Sequence, residues 1–140
     1  MTVAALVLAT AVAAAPASAV AQLRAGLARY EKLVLSMDHA GIAALFTDDG
    51  EVDNGGERPI EGPAAIDAFL RRFSGYTVLR YEIVATKTTV NGPAAVQTGC
   101  FHQRVRLPDS QVVDVFGTFR AEWIRMPSGW RIWRMGTSTS

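Results

Sequence analysis

Cysteine and histidine are scarce in this 140-residue chain, which has one cysteine and two histidines. With Cys100 alone, the chain has neither an internal disulfide nor a zinc site built from cysteines. Clustered basic charge is also missing, because the 14 lysines and arginines are scattered and nearly balance the 13 aspartates and glutamates. A nucleic-acid surface needs a concentrated basic stripe, so no nucleic-acid partner is predicted. The length fits one domain with one core.

Charge of either sign is absent from residues 1–23, and the first charged residue is Arg24. The segment ALVLATAVAAAPASA is alanine-rich and apolar, and it ends in the small residues 17–19. An apolar run followed by such a triplet is what signal peptidase recognises. We therefore predict that residues 1–19 are a signal peptide, cleaved after Ala19, and that the protein is secreted or periplasmic.

This leader departs from the usual pattern in one respect, because no lysine or arginine precedes the apolar run. The alternative is a buried or membrane-spanning helix. A membrane span needs ~20 strongly apolar residues, whereas this segment is mostly alanine and contains Pro16. No stable membrane anchor is predicted, and residues 20–140 are expected to form the single domain.

Three amphipathic helices are predicted in the first half of the domain, because apolar residues recur there at three- and four-residue spacing. The first begins near Val20, and Asp38 caps a short second helix whose apolar face ends at Phe46. The third begins at Gly62-Pro63, with proline at the first helical position. The three buried stripes are Val20, Leu23, Leu27, Tyr30, Val34 and Met37; Ile42, Leu45 and Phe46; and Ile66, Phe69, Leu70 and Phe73.

The second half of the domain alternates apolar and polar residues with a period of two, which is typical of β-strands. The turn sequences NGP, PDS and PSG separate the runs and suit antiparallel hairpins. Two short strands, near Glu51–Asn54 and at Arg58–Ile60, are predicted between the second and third helices. Helices on one side of a bent antiparallel sheet make an α+β domain. The four long strands are predicted at Tyr76–Val90, Ala94–Leu107, Gln111–Met126 and Trp130–Thr137.

The same alternation predicts which side chains face the helices. The outer face of the sheet then carries Phe116, Trp133 and Met135 among charged residues. Large apolar residues on a solvated sheet face mark an interface, so we predict a homodimer through this face. The predicted inward sets are Leu79, Tyr81 and Ile83 in the first long strand; Val113, Val115, Gly117, Phe119, Ala121 and Trp123 in the third; and Trp130 and Ile132 in the fourth.

Three blocks, MDHAGIAALFTDDGEV, IEGPAAIDAFL and GTFRAEWIRMPSGWRIWRM, occur in this order within the segment from about Leu27 to Met135. In sequence and spacing they resemble the SnoaL-like proteins of the nuclear transport factor 2-like superfamily. The resemblance implies an α+β cone, in which a strongly curved antiparallel sheet wraps around three N-terminal helices and leaves a pocket in its open end. It also implies that dimers are common. The superfamily includes polyketide cyclases, ketosteroid isomerases, dehydratases and epoxide hydrolases, together with non-catalytic ligand-binding proteins.

Two positions that often carry acids in enzymatic relatives are apolar in this chain. Tyr30 matches the aromatic residue of the first helix that often lines the pocket, but Leu35 stands where an acidic residue is common about one turn later. Ala121 stands where enzyme-like relatives often have an aspartate after the aromatic block. The resemblance therefore favours ligand binding over cyclase- or dehydratase-type catalysis.

His102, in CFHQRVR, is the most attractive general base because imidazole titrates near neutrality. Asp53 is the second candidate base, and Asp114 is expected to be exposed or paired across strands with Arg104 or Arg106. Strand parity decides whether His102 can act, and the pattern leaves both parities open. Either Val96, Thr98, Cys100, His102 and Arg104 face inward, or Ala95, Gln97, Gly99, Phe101 and Gln103 do.

Aromatic residues on the inward sets either line a pocket or fill the core. A cone of this kind rarely fills its mouth completely, so an apolar cavity with a few hydroxyl and amide groups is expected. The candidate ligand-binding residues are Tyr30, Tyr81, Phe101, Phe119 and Trp123.

The acidic stretch FTDDGEVDNGGERPIEG, between the second and third helices, does not fit a calcium loop. Numbered from Asp49, position six is Asn54 rather than glycine, and position twelve is Ile60 rather than a bidentate glutamate. The stretch also lacks a histidine for a transition metal. We predict no metal site and no cofactor. We interpret the stretch as a series of connections between secondary-structure elements, in which residues 48–50 end the second helix.

Two functions follow as hypotheses, and a third is an accessory domain that works through its sheet face. The first is a secreted protein that binds a small hydrophobic molecule in an apolar pocket. The second is an isomerase or cyclase that performs enolate chemistry on a hydrophobic polyketide- or steroid-like substrate. The enzyme would use His102 or Asp53 as the base and Tyr30 or Tyr81 as the hydrogen-bond donor. A carboxylate or imidazole that points into the cavity would separate the first two.

Overall fold

A computed structural model describes the backbone of residues 2–56 and 58–140 and the side chains of residues 18–56 and 58–140. The predicted leader, residues 1–19, falls almost entirely outside the described side chains, so its cleavage and the export of the protein stay predictions. Within the described residues, no helix has the length and apolar character to cross a membrane. The elements are α1 (Thr2–Leu35), α2 (His39–Ala43), β1 (Phe46–Asp53), β2 (Ile60–Glu61), α3 (Pro63–Arg71), β3 (Thr77–Asn91), β4 (Ala94–Arg106), β5 (Val112–Met126) and β6 (Gly129–Thr139).

The end of α1 and the start of α2 are fixed by hydrogen bonds close to Asp38. Met37 adopts a left-handed conformation with φ 53°, and the Asp38 N–H donates to the Leu33 carbonyl at 3.0 Å. This pattern closes a helix by satisfying its last carbonyls. The Asp38 carboxylate then accepts the Gly41 N–H at 2.9 Å, which confirms the predicted cap of the second helix.

The acidic stretch forms a strand rather than the predicted helix end. α2 stops at Ala43, and the Ile132 N–H donates to the Leu45 carbonyl at 2.8 Å, which draws the chain into the sheet. Phe46 is fully buried as the first residue of β1, and residues 48–50 lie within that strand. The assignment of Phe46 and residues 48–50 to the second helix was therefore wrong, because pairing with β6 begins earlier than the sequence suggests.

One six-stranded curved sheet, in the order β2-β1-β6-β5-β4-β3, carries the three helices on its concave side. The pairs are antiparallel except for β1 and β6, which run parallel. The four long strands lie within two residues of their predicted bounds, so the α+β prediction is confirmed. This topology leaves β3 as a free edge beside α1.

Bulges in two strands change which side chains face the core. Leu79 is the unpaired extra residue between Val78 and Arg80, and it is exposed instead of facing inward as predicted. In β6 the extra residue is Trp133, so the alternation reverses and Met135 packs against the core with 1% of its surface exposed. Met135 therefore does not belong to the outer face, where it was predicted to contribute to a dimer interface.

The core lies between α1 and the concave face of the sheet. Trp123 of β5 is its largest fully buried side chain, and it packs directly against the backbone of α1 at Gly26. A methyl group on Gly26 would lie 3.0 Å from the indole ring, which is tighter than normal contact. The fully buried residues Leu23, Phe46, Ile66 and Ile132 complete this layer.

The close pairing of β3 with β4 depends on Gly99, because a methyl group there would overlap the backbone carbonyl of Val84. We expect Gly99→Ala to lower the free energy of unfolding by roughly 2 kcal/mol, the usual cost of overpacking, in urea denaturation followed by circular dichroism. Gly136→Ala is the matched strand control, since the nearest atom to its added methyl group is 3.8 Å away. Equal stability of the two variants would contradict this account of the β3–β4 pairing.

Candidate functional site

A groove of about 320 Å³ lies between α1 and the edge of the sheet formed by β3. Helix α1 forms one wall, β3 forms the other, and one residue of β4 lies at the floor. A volume of this size is at the lower end of the range for small-molecule sites, which is about 300–1,000 Å³. The lining residues are Val20, Arg24, Leu27, Ala28 and Glu31 of α1; Ile83, Val84, Ala85 and Thr88 of β3; and Gln97 of β4.

The floor of the groove holds a buried amide whose orientation is fixed. Gln97 is only 2% exposed, and its Oε1 accepts a hydrogen bond of 2.9 Å from the indole Nε1 of Trp123. Its Nε2 donates to the hydroxyl of Thr88 at 3.4 Å. Because an indole can only donate, the amide oxygen must face Trp123 and the amide nitrogen must face Thr88.

Glu31 binds the free edge of the sheet at the other end of the groove. Its Oε2 accepts the backbone N–H of Ile83 at 3.0 Å, across 52 positions of sequence. An unpaired N–H on an edge strand would otherwise be open to pairing with another chain. Glu31 therefore fastens α1 to β3 and places one carboxylate in the wall of the groove.

Two tyrosines lie behind Glu31, on the concave side of the sheet. The rings of Tyr30 and Tyr81 are 6.2 Å apart, and their hydroxyls are buried against each other. Burial raises the pKa of Tyr30 to about 12. Burial, followed by the neighbouring Tyr30 and then Glu31, raises the pKa of Tyr81 well above its ordinary value. Both phenols therefore stay protonated near neutral pH and can act only as neutral hydrogen-bonding groups.

The five predicted ligand-binding aromatics all face the concave side, but none of them lines the groove. Four of them are less than 10% exposed and form the core, while Tyr30 keeps a partly exposed ring. Tyr81 contacts both Tyr30 and Phe101, with ring centroids 6.2 and 6.4 Å apart. These residues fill the cone beneath the groove, so the alternative interpretation, core rather than lining, describes them better. They are Tyr30, Tyr81, Phe101, Phe119 and Trp123.

His102 lies on the outer face of the sheet, because Ala95, Gln97 and Phe101 take the inward positions of β4. Its Nε2 is 2.8 Å from Asp114, and its ring stacks on Phe116 with centroids 4.2 Å apart. The inward placement that a catalytic His102 required is therefore not observed.

Asp114 pairs with the predicted cross-strand partner Arg104 at 3.0 Å. The hydrogen bonds from His102 and then from Arg104 hold the pKa of Asp114 below its usual value. These three side chains form an exposed polar cluster on the convex surface, away from the groove.

Asp53, the second predicted base, is exposed at the end of β1 and accepts the Gly55 N–H at 3.1 Å. It shapes a turn and does not lean toward the concave side.

A wider surface depression of about 820 Å³ lies beside β1, and its lining includes Asp48, Asp49, Arg131 and Trp133. Among the described residues, no cluster of histidine, cysteine and acidic side chains has the arrangement of a metal site.

Four polar residues of the groove were not predicted from the sequence: Arg24, Glu31, Thr88 and Gln97. Arg24 and Glu31 lie seven positions apart, so they share one side of α1, and that spacing was the only available signal. Gln97 was named only as a member of one strand parity. Its buried hydrogen bond with Trp123 joins β4 to β5, and no sequence pattern predicts such a pair.

A family model described as the SnoaL-like domain matches residues 15–136. The chain belongs to the SnoaL-like family. No curated protein matches this chain. An NTF2-like protein with a cystatin-like fold from Novosphingobium aromaticivorans is 24% identical, with a TM-score of 0.72, over 93% of this chain and 87% of that one.

Two further solved structures have the same fold at lower identity. A ketosteroid isomerase-like protein from Erwinia carotovora atroseptica is 15% identical, with a TM-score of 0.76, over 85% of this chain and 94% of that one. A conserved protein from Planctomyces limnophilus is 16% identical, with a TM-score of 0.75, over 85% of this chain and 95% of that one. At these identities the likeness establishes the fold of the SnoaL-like chain and nothing about its ligand.

The tyrosine pair predicts loss of stability in alkali. An unfolded tyrosine has a pKa near 10, whereas folded Tyr30 has a pKa of about 12, so its contribution is complete below pH 10 and is lost as pH rises toward 12. Between pH 9 and pH 11.5 the ionisation of Tyr30 should lower the unfolding free energy of the wild type by roughly 2 kcal/mol. Tyr30→Phe has no phenol to ionise at this position, so its unfolding free energy should fall by that much less over the same range. Urea titrations at several pH values measure this slope. Tyr76→Phe is the control, and an unchanged slope in Tyr30→Phe would count against the buried phenol pair.

Proposed function

We propose that this SnoaL-like protein binds a small hydrophobic molecule in the groove between α1 and β3 and performs no chemistry on it. The groove itself carries the proposal. Its walls are mainly apolar, through Leu27, Ala28, Ile83 and Ala85. Two of its polar groups, Glu31 and Gln97, are held in fixed positions by hydrogen bonds. Ligand sites typically combine an apolar lining with a small number of oriented polar groups.

Acid–base catalysis on a polyketide- or steroid-like substrate is the alternative, and the groove offers little support for it. Enolate chemistry needs a base at the reacting carbon and a donor for the developing oxyanion. Glu31 is the one carboxylate among the lining residues, and one of its oxygens is used by the Ile83 N–H. The candidate bases His102 and Asp53 lie elsewhere, and no imidazole lines the groove.

A bulky residue at position 28 tests the binding site directly. Ala28 is exposed on α1 and lines the groove, so Ala28→Phe fills the groove without disturbing the core. We expect this variant to bind the neutral fluorescent probe N-phenyl-1-naphthylamine at least roughly tenfold more weakly than the wild type. That factor corresponds to about 1.4 kcal/mol, and a fluorescence titration measures it.

Ala25→Phe is the matched control, because Ala25 is exposed on the same helix but does not line the groove. Equal affinity of the probe for the two variants would place binding elsewhere.

A second variant, Glu31→Gln, separates binding from catalysis, because glutamine can still accept the Ile83 N–H but cannot take up a proton. A molecule carried through purification and seen by native mass spectrometry should accompany Glu31→Gln at unchanged occupancy, and after extraction it should match the wild-type molecule in chromatographic retention and fragmentation. An isomeric precursor of equal mass but different retention that accumulates only on this variant would support the enzyme instead.

We also propose that the outer sheet face pairs with a second copy of the chain. Phe116 is 54% exposed on this face, and Trp133 is partly exposed there. A contiguous exposed apolar patch with a polar rim marks an interaction site. The charges around these two side chains alternate in sign, as in the Arg134–Glu51 pair at 2.6 Å.

A charge at position 116 tests this pairing. We expect Phe116→Glu to sediment as a monomer at concentrations at which the wild type is a dimer, because an isologous contact would bury the new carboxylate twice. Leu35→Glu is the matched control, since Leu35 is 40% exposed at the end of α1, away from this face. Sedimentation velocity that shows monomers for the wild type, or dimers for Phe116→Glu, would rule out this interface.

A further inference from the structure

The two ends of the groove differ in their hydrogen-bonding character. Glu31 binds the Ile83 N–H, whereas Gly26, five residues earlier on α1, packs on Trp123, which binds Gln97 and through it Thr88. Arg24, which also lines the groove, therefore belongs to the end formed by Thr88 and Gln97, and Glu31 to the other end. Arg24 and Glu31 are seven residues apart on one helix, which corresponds to about 10 Å along its axis. The apolar residues Leu27 and Ala28 lie between them on the same wall. A ligand in the groove therefore meets one cationic end, one anionic end and an apolar middle.

The cationic end presents hydrogen-bond donors. The Gln97 amide is held with its oxygen on Trp123 and its nitrogen toward Thr88, so it offers donors toward the groove. The Thr88 hydroxyl accepts that amide at 3.4 Å, which leaves its own hydrogen to donate. Arg24 adds a guanidinium, which has five N–H donors and no acceptor, and no described acidic side chain forms an ion pair with it.

A carboxylate matches these donors in charge and shape. Its two oxygens accept only, and a guanidinium recognises them in a planar, charge-assisted arrangement. The amide of Gln97 and the hydroxyl of Thr88 supply neutral donors beside the arginine, and the buried Trp123 prevents the amide from reversing. A neutral carbonyl or hydroxyl oxygen would accept these hydrogen bonds without compensating the charge of the arginine, and a cationic group would be repelled by it.

Glu31 fixes the direction of such a ligand. Its carboxylate holds the Ile83 N–H at 3.0 Å, and its negative charge disfavours a second anion at that end. The wall near Glu31 is otherwise made by apolar groups of Leu27, Ile83 and Ala85. The apolar part of the ligand therefore lies toward Glu31 and the anionic part lies toward Arg24.

We propose that the groove takes a small organic carboxylate, whose carboxylate group binds Arg24, Gln97 and Thr88 and whose apolar body lies along Leu27, Ala28 and Ile83. This inference rests on the proposed binding function and adds the chemical class of the ligand. It assigns specificity to Arg24 and Thr88, which lie outside the core, and to Gln97, whose bond to Trp123 also stabilises the core.

Two probes of one skeleton test the ligand class. 3-Phenylpropanoate carries the carboxylate, and 3-phenylpropan-1-ol replaces it with a neutral hydroxyl. We expect the wild type to bind the carboxylate roughly tenfold or more tightly than the alcohol in isothermal titration calorimetry, as a charge-assisted hydrogen bond predicts. Because Arg24 is exposed, this preference should shrink when sodium chloride is raised from 20 to about 500 mM.

Arg24→Gln should remove most of the preference, with roughly a tenfold loss for the carboxylate and no change for the alcohol. Thr88→Val, which keeps the shape of the side chain, should cost severalfold for the carboxylate alone. Both residues lie outside the core, so a circular dichroism melt is expected to show folded variants. Arg29→Gln is the matched control, because Arg29 is exposed on α1 but does not line the groove.

Equal wild-type affinity for the two probes, or an unchanged preference in Arg24→Gln, would overturn the inference. N-phenyl-1-naphthylamine separates this failure from failure of the binding function. If that neutral probe binds in the groove while 3-phenylpropanoate shows no preference, binding stands and the carboxylate class is wrong. If none of the three probes binds, both proposals fail.

Discussion

The hydrogen bond from the Trp123 indole to Gln97 ties together the parts of the molecule that make the groove. Trp123 lies on β5, Gln97 lies on β4, and the indole ring packs on the α1 backbone at Gly26. Because the pair is almost completely buried, losing either partner would leave a polar group unsatisfied at a cost of about 1–3 kcal/mol. The same bond that stabilises the core therefore also decides which atoms of Gln97 face the groove.

The groove follows from the way the sheet ends. β3 is an edge strand, and helix α1 crosses it without covering its whole length. Two irregularities, at Leu79 and at Thr86, interrupt the regular pairing of β3 with β4, and between them Glu31 binds the Ile83 N–H. Bulges and an inward-pointing charge are the usual protection of an exposed edge. Here the hydrogen bond between Glu31 and Ile83 sets the distance between α1 and β3. The groove is the space left between the helix and the strand.

The sequence was sufficient for the order and type of the elements, because helical and strand periodicities were long and clearly separated by glycine and proline. It was insufficient where one residue changes the alternation. A bulge at Trp133 moves Met135 from the outer face to the core, and a bulge at Leu79 moves that residue out. Such insertions depend on the twist of neighbouring strands and leave no local signature. β4 was ambiguous for a related reason, since both of its faces mix apolar and polar residues.

The candidate site was harder to predict than the fold, because its residues are related through tertiary contacts. Tyr30 and Trp123 were correctly placed on the concave side, but aromatic size predicted a lining where the structure has a packed core. The apolar part of the groove is instead formed by alanines, valines, one leucine and one isoleucine that look like ordinary helix and strand residues. Its polar groups form a site only because α1 packs beside β3, which brings Glu31 into contact with Ile83, 52 positions away in sequence.

The outer face shows how little residue type alone says about function. His102, Asp114 and Arg104 form a hydrogen-bonded set that would suggest acid–base chemistry if it lay in a cavity. On β4 the parity turns this set to the convex surface, where His102 stacks on the exposed Phe116. A shift of one residue in register would exchange the two faces, placing imidazole inside and Phe101 outside. Parity therefore decides whether the imidazole of His102 can reach a ligand on the concave side. In this chain β4 turns Gln97 and Phe101 inward and leaves His102, with Asp114 and Arg104, on the convex surface.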